Sequence, residues 1–215
     1  KGINEPGSGY DEDHPYVGRD PRFYMTFAYD GSEFTVNDKT QTIETFEGGK
    51  DATATNKTAT KTGYYLKKLL SPQAVWDGRT NNITRTWILM RYAEVLLNYA
   101  EAMNEYCESP SQAPNDSIYK VVELIRKRAE LSPYKLPAGL TKEEMREVIR
   151  NERRVELAFE NHRWFDLIRT GRAVEVMKSK GFSLNETNLI CPIPQKQIDV
   201  NPKLTQNDYR IESRN

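Results

Sequence analysis

Met90-Arg91-Tyr92-Ala93-Glu94-Val95-Leu96-Leu97-Asn98-Tyr99-Ala100-Glu101-Ala102 carries the periodicity that decides the fold class. In and around it, Leu89, Ala93, Leu96, Ala100 and Met103 recur at spacings of four and three, which marks one face of an α-helix beginning near Trp87. The small Ala93 and Ala100 on that stripe would let a neighbouring helix approach closely. Pro110 and Pro114 bracket the break that follows. A second helix would carry Ile118, Val121, Val122, Ile125 and Ala129 on one face, with Asn115 or Asp116 as its N-cap and Leu131-Ser132-Pro133 as its end. The third has the clearest start, since Thr141-Lys142-Glu143-Glu144 fits a capping box. Its apolar positions include Met145, Val148, Ile149, Val155 and Phe159. A fourth runs from Arg163 to Met177 with a break at Gly171. Four such helices with short links predict antiparallel hairpins stacked side by side, over about 87–178.

Outward from this block the chain changes character. Residues 1–86 read as a loop-rich segment. Phe23, Met25, Phe27 and Tyr29 alternate as one face of a strand, and Asp30-Gly31 followed by Phe34-Thr35-Val36 suggests a hairpin near 22–36. Residues 37–62 hold few large apolar side chains, so the expectation there is a long exposed or mobile loop. Residues 179–215, with Cys191-Pro192-Ile193-Pro194 and Asn201-Pro202, read as an extended carboxyl-terminal segment. All three parts are expected to belong to one larger domain.

Composition narrows the function. Lys+Arg and Asp+Glu both number 31, a formal net charge of zero, which argues against a nucleic-acid binder. It argues equally against attraction to anionic lipid through charge alone. No apolar run approaches the roughly 20 residues of a transmembrane helix, and 1–6 hold neither a start Met nor an apolar signal core. A piece of a longer protein is the favoured explanation. Two cysteines, Cys107 and Cys191, are too few for a disulfide framework or a thiolate zinc site.

The dense charges of 151–169 offer less chemistry than their number suggests. His162 follows Glu160 by two residues, whereas a helical Glu-x-x-His metal motif needs three, so no metal or other cofactor is expected. A glycosidase-type acid pair needs one carboxyl raised in pKa, and Arg153, Arg154, Arg163 and Arg169 would lower it. Cys107 sits between Glu105 and Glu108, which disfavour its thiolate. The reading is therefore non-enzymatic. Glu94, Glu101, Arg126, Arg153, Glu156, Arg163 and Asp166 are expected instead to form inter-helix ion pairs that fix the packing. Aromatic loop residues are the better lead to a ligand: Tyr10, Tyr16, Trp76 and Tyr209. A flat ring can stack on a sugar, and Trp76-Asp77-Gly78-Arg79 adds polar groups for its hydroxyls. Trp76 and Arg79 are nominated on that chemistry alone, against the alternative of a loop Trp plugged into the core.

Several segments together resemble the RagB/SusD family of outer-membrane nutrient-binding lipoproteins of Bacteroidetes. The 90–102 helix looks like its signature helix. Leu124-Ile125-Arg126-Lys127-Arg128-Ala129 is similar to its second landmark, with Glu123 in place of the usual Asn. A third runs from Ile149-Arg150-Asn151-Glu152-Arg153-Arg154 through Arg163-Trp164-Phe165-Asp166. Arg19-Asp20-Pro21-Arg22-Phe23, and Ile193-Pro194 with Asn201-Pro202 and Gln206-Asn207, resemble two flanking landmarks. The resemblance implies tetratricopeptide-like helix pairs, corresponding to the carboxyl-terminal part of the SusD fold, since family members are more than twice this long. It implies binding of glycans without cleavage, a lipid-anchored place at the cell surface, and a SusC-like TonB-dependent transporter as partner. Alternatives are a helical protein-interaction scaffold or a binder of a non-glycan nutrient.

Overall fold

The computed structural model of the chain describes residues 3, 7–73, 83 and 87–207. These form two compact units, Lys1–Ala158 and Phe159–Asn215. Among the described residues the chain is mainly helical, with two small antiparallel strand pairs.

In the first unit α1 (Pro21–Thr26) leads into β1 (Phe27–Ala28), and β2 (Glu33–Val36), β3 (Lys39–Thr42) and β4 (Tyr65–Leu66) follow. The strand expected at 23–29 is therefore mostly a helix. Asp20 caps it by accepting from the Arg22 N–H at 2.9 Å, and Pro21 occupies a first-turn position where no N–H is needed. Arg22 and Thr26, four apart, are buried, while Met25 is 70% exposed and so leaves the expected face, of which Phe23, Phe27 and Tyr29 still pack together. The hairpin also lies further on than expected. It joins β2 to β3 with Val36 opposite Lys39, and Asn37 and Asp38 both take positive φ, as a two-residue primed turn requires. Asp30-Gly31 turns the chain before β2 instead, and β1 pairs with β4.

Residues 43–56, expected to be an exposed loop, are organised by polar bonds. Asp30 Oδ1 accepts from the backbone of Thr45 and Phe46, and Asp51 and Glu44 bond each other's main chain. Gly49 passes so close to the Glu44 carbonyl that a Cβ would collide with it. Ile43 and Ala52 are buried as a result. Low hydrophobicity was a guide to the exposure of 46–48 and 53–55 but not to this order, in which the Asp30 and Asp51 side chains satisfy the backbone.

The core of this unit is α2 (Tyr92–Tyr106) packed against both α3 (Ser117–Arg128) and α4 (Lys142–Glu156). Leu97, Ile118, Ile125, Met145 and Ile149 are fully buried, each stabilising by roughly 1.5–3 kcal/mol. Helix α2 starts at Tyr92, later than expected, and Leu89 before it is exposed. Its buried face is Glu94, Leu97, Ala100 and Asn104, rotated from the expected stripe. Asp116 holds the N-cap position of α3 but makes no side-chain cap bond. The capping box of α4 is complete: Thr141 Oγ1 accepts from the Glu144 N–H, and Glu144 accepts from the Thr141 N–H. Helix α4 ends at Glu156, so the expected continuation to Phe159 fails; Phe159 takes φ +62° and is half exposed.

In the second unit α5 (His162–Arg169) and α6 (Ala173–Ser179) are parted at Gly171, whose φ of +68° supports bonds from Gly171 N to Ile168 O and from Arg172 N to Leu167 O. The expected extended tail contains a helix, α7 (Gln195–Val200). Gln206 then bonds both the N–H and the C=O of Ile193.

Candidate functional site

The densest chemistry in the first unit is a buried charge cluster at the carboxyl end of α4. Glu152 and Glu156 are four apart and so share one helical face, and they are only 1% and 3% exposed. Arg22, brought in by α1 from 130 residues away, donates from Nη1 to Glu152 at 2.6 Å and to Glu156 at 3.1 Å. Asp20 holds the other side of that guanidinium at 2.8–3.0 Å. Arg91, just before α2, donates to Glu156 Oε1 at 2.7 Å, and Arg128, at the end of α3, reaches the same oxygen. Arg126 Nη1 lies 3.6 Å from Glu152, while its Nε and Nη2 donate to the carbonyls of Tyr134 and Pro133. The terminal carbonyls of α4 are closed by cations too: Glu156 O accepts from Arg91 and Lys68, and Ala158 O accepts from Lys68.

Burial alone would push the Glu156 carboxyl up. The bond and charge of Arg91, with the charge of Arg128 and the bond of Arg22, more than reverse this and hold it below the usual carboxylate range. Asp20 behaves alike, with burial opposed by its bonds to Arg22. For Arg22 burial works against the charged form, and its bond to Asp20 and the charge of Glu152 raise it overall. A carboxyl held down in this way is a fixed anion. It ties α1, the start of α2, the end of α3 and the end of α4 to one point.

The residues expected to pair fall into three groups. Glu156 and Arg126 sit in the cluster. Arg153 bridges α4 to α2, donating to Asn98 Oδ1 at 2.6 Å with Glu101 at 3.9 Å, and Glu94 is buried in α2. Asp166 accepts from Arg169 at 2.7–2.8 Å within α5, an intra-helix pair, and Arg163 stands in the first turn of the same helix. Glu123, which replaces an Asn in the landmark, accepts from the Leu136 N–H at 3.0 Å, an oxygen-acceptor role that an Asn could also fill. Arg22, Glu152, Arg91, Arg128 and Lys68 were missed as cluster members. Arg22, Arg91, Arg128 and Glu152 stood in recognisable landmarks, whereas nothing in the sequence links Lys68 to a helix end 88 residues later.

A second grouping is aromatic. Tyr16 packs on Tyr29 at 4.3 Å, Phe23 lies 5.3 Å from Tyr29, and Tyr64 meets Tyr16, Phe23 and Phe27 edge-on at 5.9–6.2 Å. Arg19 stacks over Phe23 and Tyr10. Burial, with Tyr64 adding to it, pushes the Tyr16 phenol up to about 12. Tyr16, read as a loop aromatic, is thus engaged in packing. Trp76, Arg79 and Tyr209 lie outside the described residues. Cys107 is a buried free thiol and Cys191 an exposed one.

The SusD family profile matches residues 4–209. SusD-like protein P2 of Formosa agariphila is 37% identical over 133 residues, which are 57% of this chain and 25% of that protein. SusD-like protein P38 of the same organism is 44% identical over 66 residues, 31% of this chain and 13% of that one. A solved SusD-like protein from Bacteroides fragilis superposes with a TM-score of 0.72 at 26% identity, covering 93% of this chain and 41% of its own. A SusD homolog from Bacteroides thetaiotaomicron shares the fold, with a TM-score of 0.61 at 24% identity over 87% of this chain and 40% of its own. This chain therefore spans less than half the length of these relatives. With the profile running almost end to end, the chain belongs to the SusD family.

Proposed function

We propose that the protein is a non-enzymatic surface binder of glycans that delivers oligo- or polysaccharide to a SusC-like TonB-dependent outer-membrane transporter. Membrane attachment is through a lipid anchor. Family membership across 4–209 carries this reading. The charge cluster supports it, because Glu156 is held ionised by arginines and is unsuited to donate a proton to a glycosidic oxygen. Trp76 is the proposed stacking platform and Arg79 the donor to sugar hydroxyls, with no part in catalysis.

Affinity electrophoresis through gels containing different polysaccharides tests this. Retardation by at least one glycan is expected, with Trp76→Ala weakening it about tenfold, since stacking contributes ~1–2 kcal/mol. Failure of every glycan to bind, together with tight calorimetric binding of a peptide, would overturn the assignment in favour of another nutrient.

A further inference from the structure

The run Arg19-Asp20-Pro21-Arg22 offers one carboxylate to two guanidiniums, and folding gives it to the second. Asp20 accepts from the N–H, Nε and Nη2 of Arg22 at 2.8–3.0 Å, while Glu152 and Glu156 take its Nη1. Arg19 is left with rings. Its guanidinium carbon stands 5.2 Å from the Phe23 ring centroid and 5.6 Å from that of Tyr10, both within cation–π reach. The backbone behind it is pinned as well. The Arg19 N–H donates to the Tyr24 hydroxyl at 3.1 Å, and that hydroxyl donates to the Tyr16 carbonyl at 2.7 Å. Arg19 is half-buried, and among the described residues no oxygen accepts from its guanidinium.

Rings hold a guanidinium in place but do not satisfy its N–H donors. A fork of donors already fixed by packing loses little freedom when an acceptor arrives, and its plane suits two parallel bonds to one oxyanion. Tyr64, which is exposed, also lies against Phe23, at 6.2 Å, so the fork and a second flat ring flank one side chain. An aromatic face takes the C–H face of a sugar, and the fork takes an oxyanion carried on that sugar. We propose that Arg19, with Tyr10 and Tyr64, forms a subsite for acidic sugars, the shared chemistry being a carboxylate or sulfate ester on a pyranose ring. This rests on the glycan reading above and narrows it from glycans at large to charged ones. A neutral sugar offers only hydroxyls, which are weaker acceptors than an ionised oxygen. The acids nearby leave the fork open. Asp11 is turned back on its own loop by His14 at 2.9 Å and the Asp13 N–H at 3.0 Å, and Glu12 and Asp13 are exposed, where water and salt screen them.

Calorimetric titration with matched polymers tests the subsite: polygalacturonate against its carboxyl-reduced form, and a sulfated galactan against its desulfated form. At least one acidic polymer should bind, about tenfold more tightly than its neutral match. Arg19→Gln should weaken that binding about tenfold, since a charge-assisted pair of bonds is lost, and leave the melting temperature unchanged. Arg19→Lys should restore only part of it, because an ammonium cannot fork. The pair that responds tells carboxylate from sulfate, and either supports the subsite. Equal affinity for acidic and neutral members overturns it and leaves the glycan reading standing, as does acidic binding that Arg19→Gln leaves intact. Binding of none of these polymers overturns it too, and the wider electrophoresis panel then decides the glycan reading separately.

Discussion

Arg22 shows how one side chain can hold several elements. Its guanidinium meets Asp20, Glu152 and Glu156, and the two glutamates are almost wholly buried. Removing one partner of a buried pair leaves an uncompensated charge in a poorly solvated place, which costs about 3–5 kcal/mol. Arg22→Ala should therefore lower the melting temperature by on the order of 10 °C, measured by circular dichroism. Arg146→Ala should cost about 1 kcal/mol or less, because its partner Glu105 is half exposed and solvent screens the pair. Equal losses in the two variants would deny the cluster its special place. From sequence, Glu156 was expected to pair, but the identity of its partners was hidden. They come from α1, the approach to α2 and the end of α3, and only folding brings these together.

Among the elements, legibility followed the range of the forces involved. The start of α4 was readable because Thr141 and Glu144 satisfy each other's backbone within three residues. Thr141→Ala removes an acceptor for an otherwise free N–H and should cost about 1 kcal/mol, or roughly 2–4 °C in melting temperature. Thr141→Ser should recover most of it, and a serine variant no more stable than the alanine one would count against the cap. Residues 21–26 misled because Phe23, Met25 and Phe27 alternate like a strand, yet Asp20-Pro21 makes a helix start and the alternation gave way to it. The hairpin was displaced for a similar reason. Asp30-Gly31 looked like its turn, but Asn37 and Asp38 adopt the positive φ that closes β2 on β3. In α2 the period of 3.6 was right and the expected face was right in part: Ala100 is fully buried and Leu96 and Met103 pack against the core, but Glu94, Leu97 and Asn104 beside them are covered as well. Apolar residues run round most of that helix, so only its packing against α3 and α4 reveals which side is covered.

At the scale of the molecule, 31 basic and 31 acidic residues balance near neutral pH, and acid upsets that balance. Glu156, Asp20 and Glu105 all titrate below their ordinary values in the folded chain. A carboxyl whose folded pKa is depressed contributes stability that is fully present above its unfolded value of about 4 and is lost as pH falls through the folded value. Denaturant midpoints should thus hold steady from pH 7 to about 5 and fall steeply below about pH 4. Glu156→Gln, though less stable at pH 7, should show a shallower acid limb. A midpoint that rises below pH 4 would contradict the sign of these shifts. The sequence by itself determined the helical class, the family landmarks and the α4 cap, since periodicity, capping and short motifs are local properties of neighbouring residues. Only the tertiary structure decided which charges meet, which face of α2 is buried, and that Asp30 and Asp51 order a polar loop. Each of those outcomes depends on groups far apart in sequence, whose encounter depends on how the helices pack.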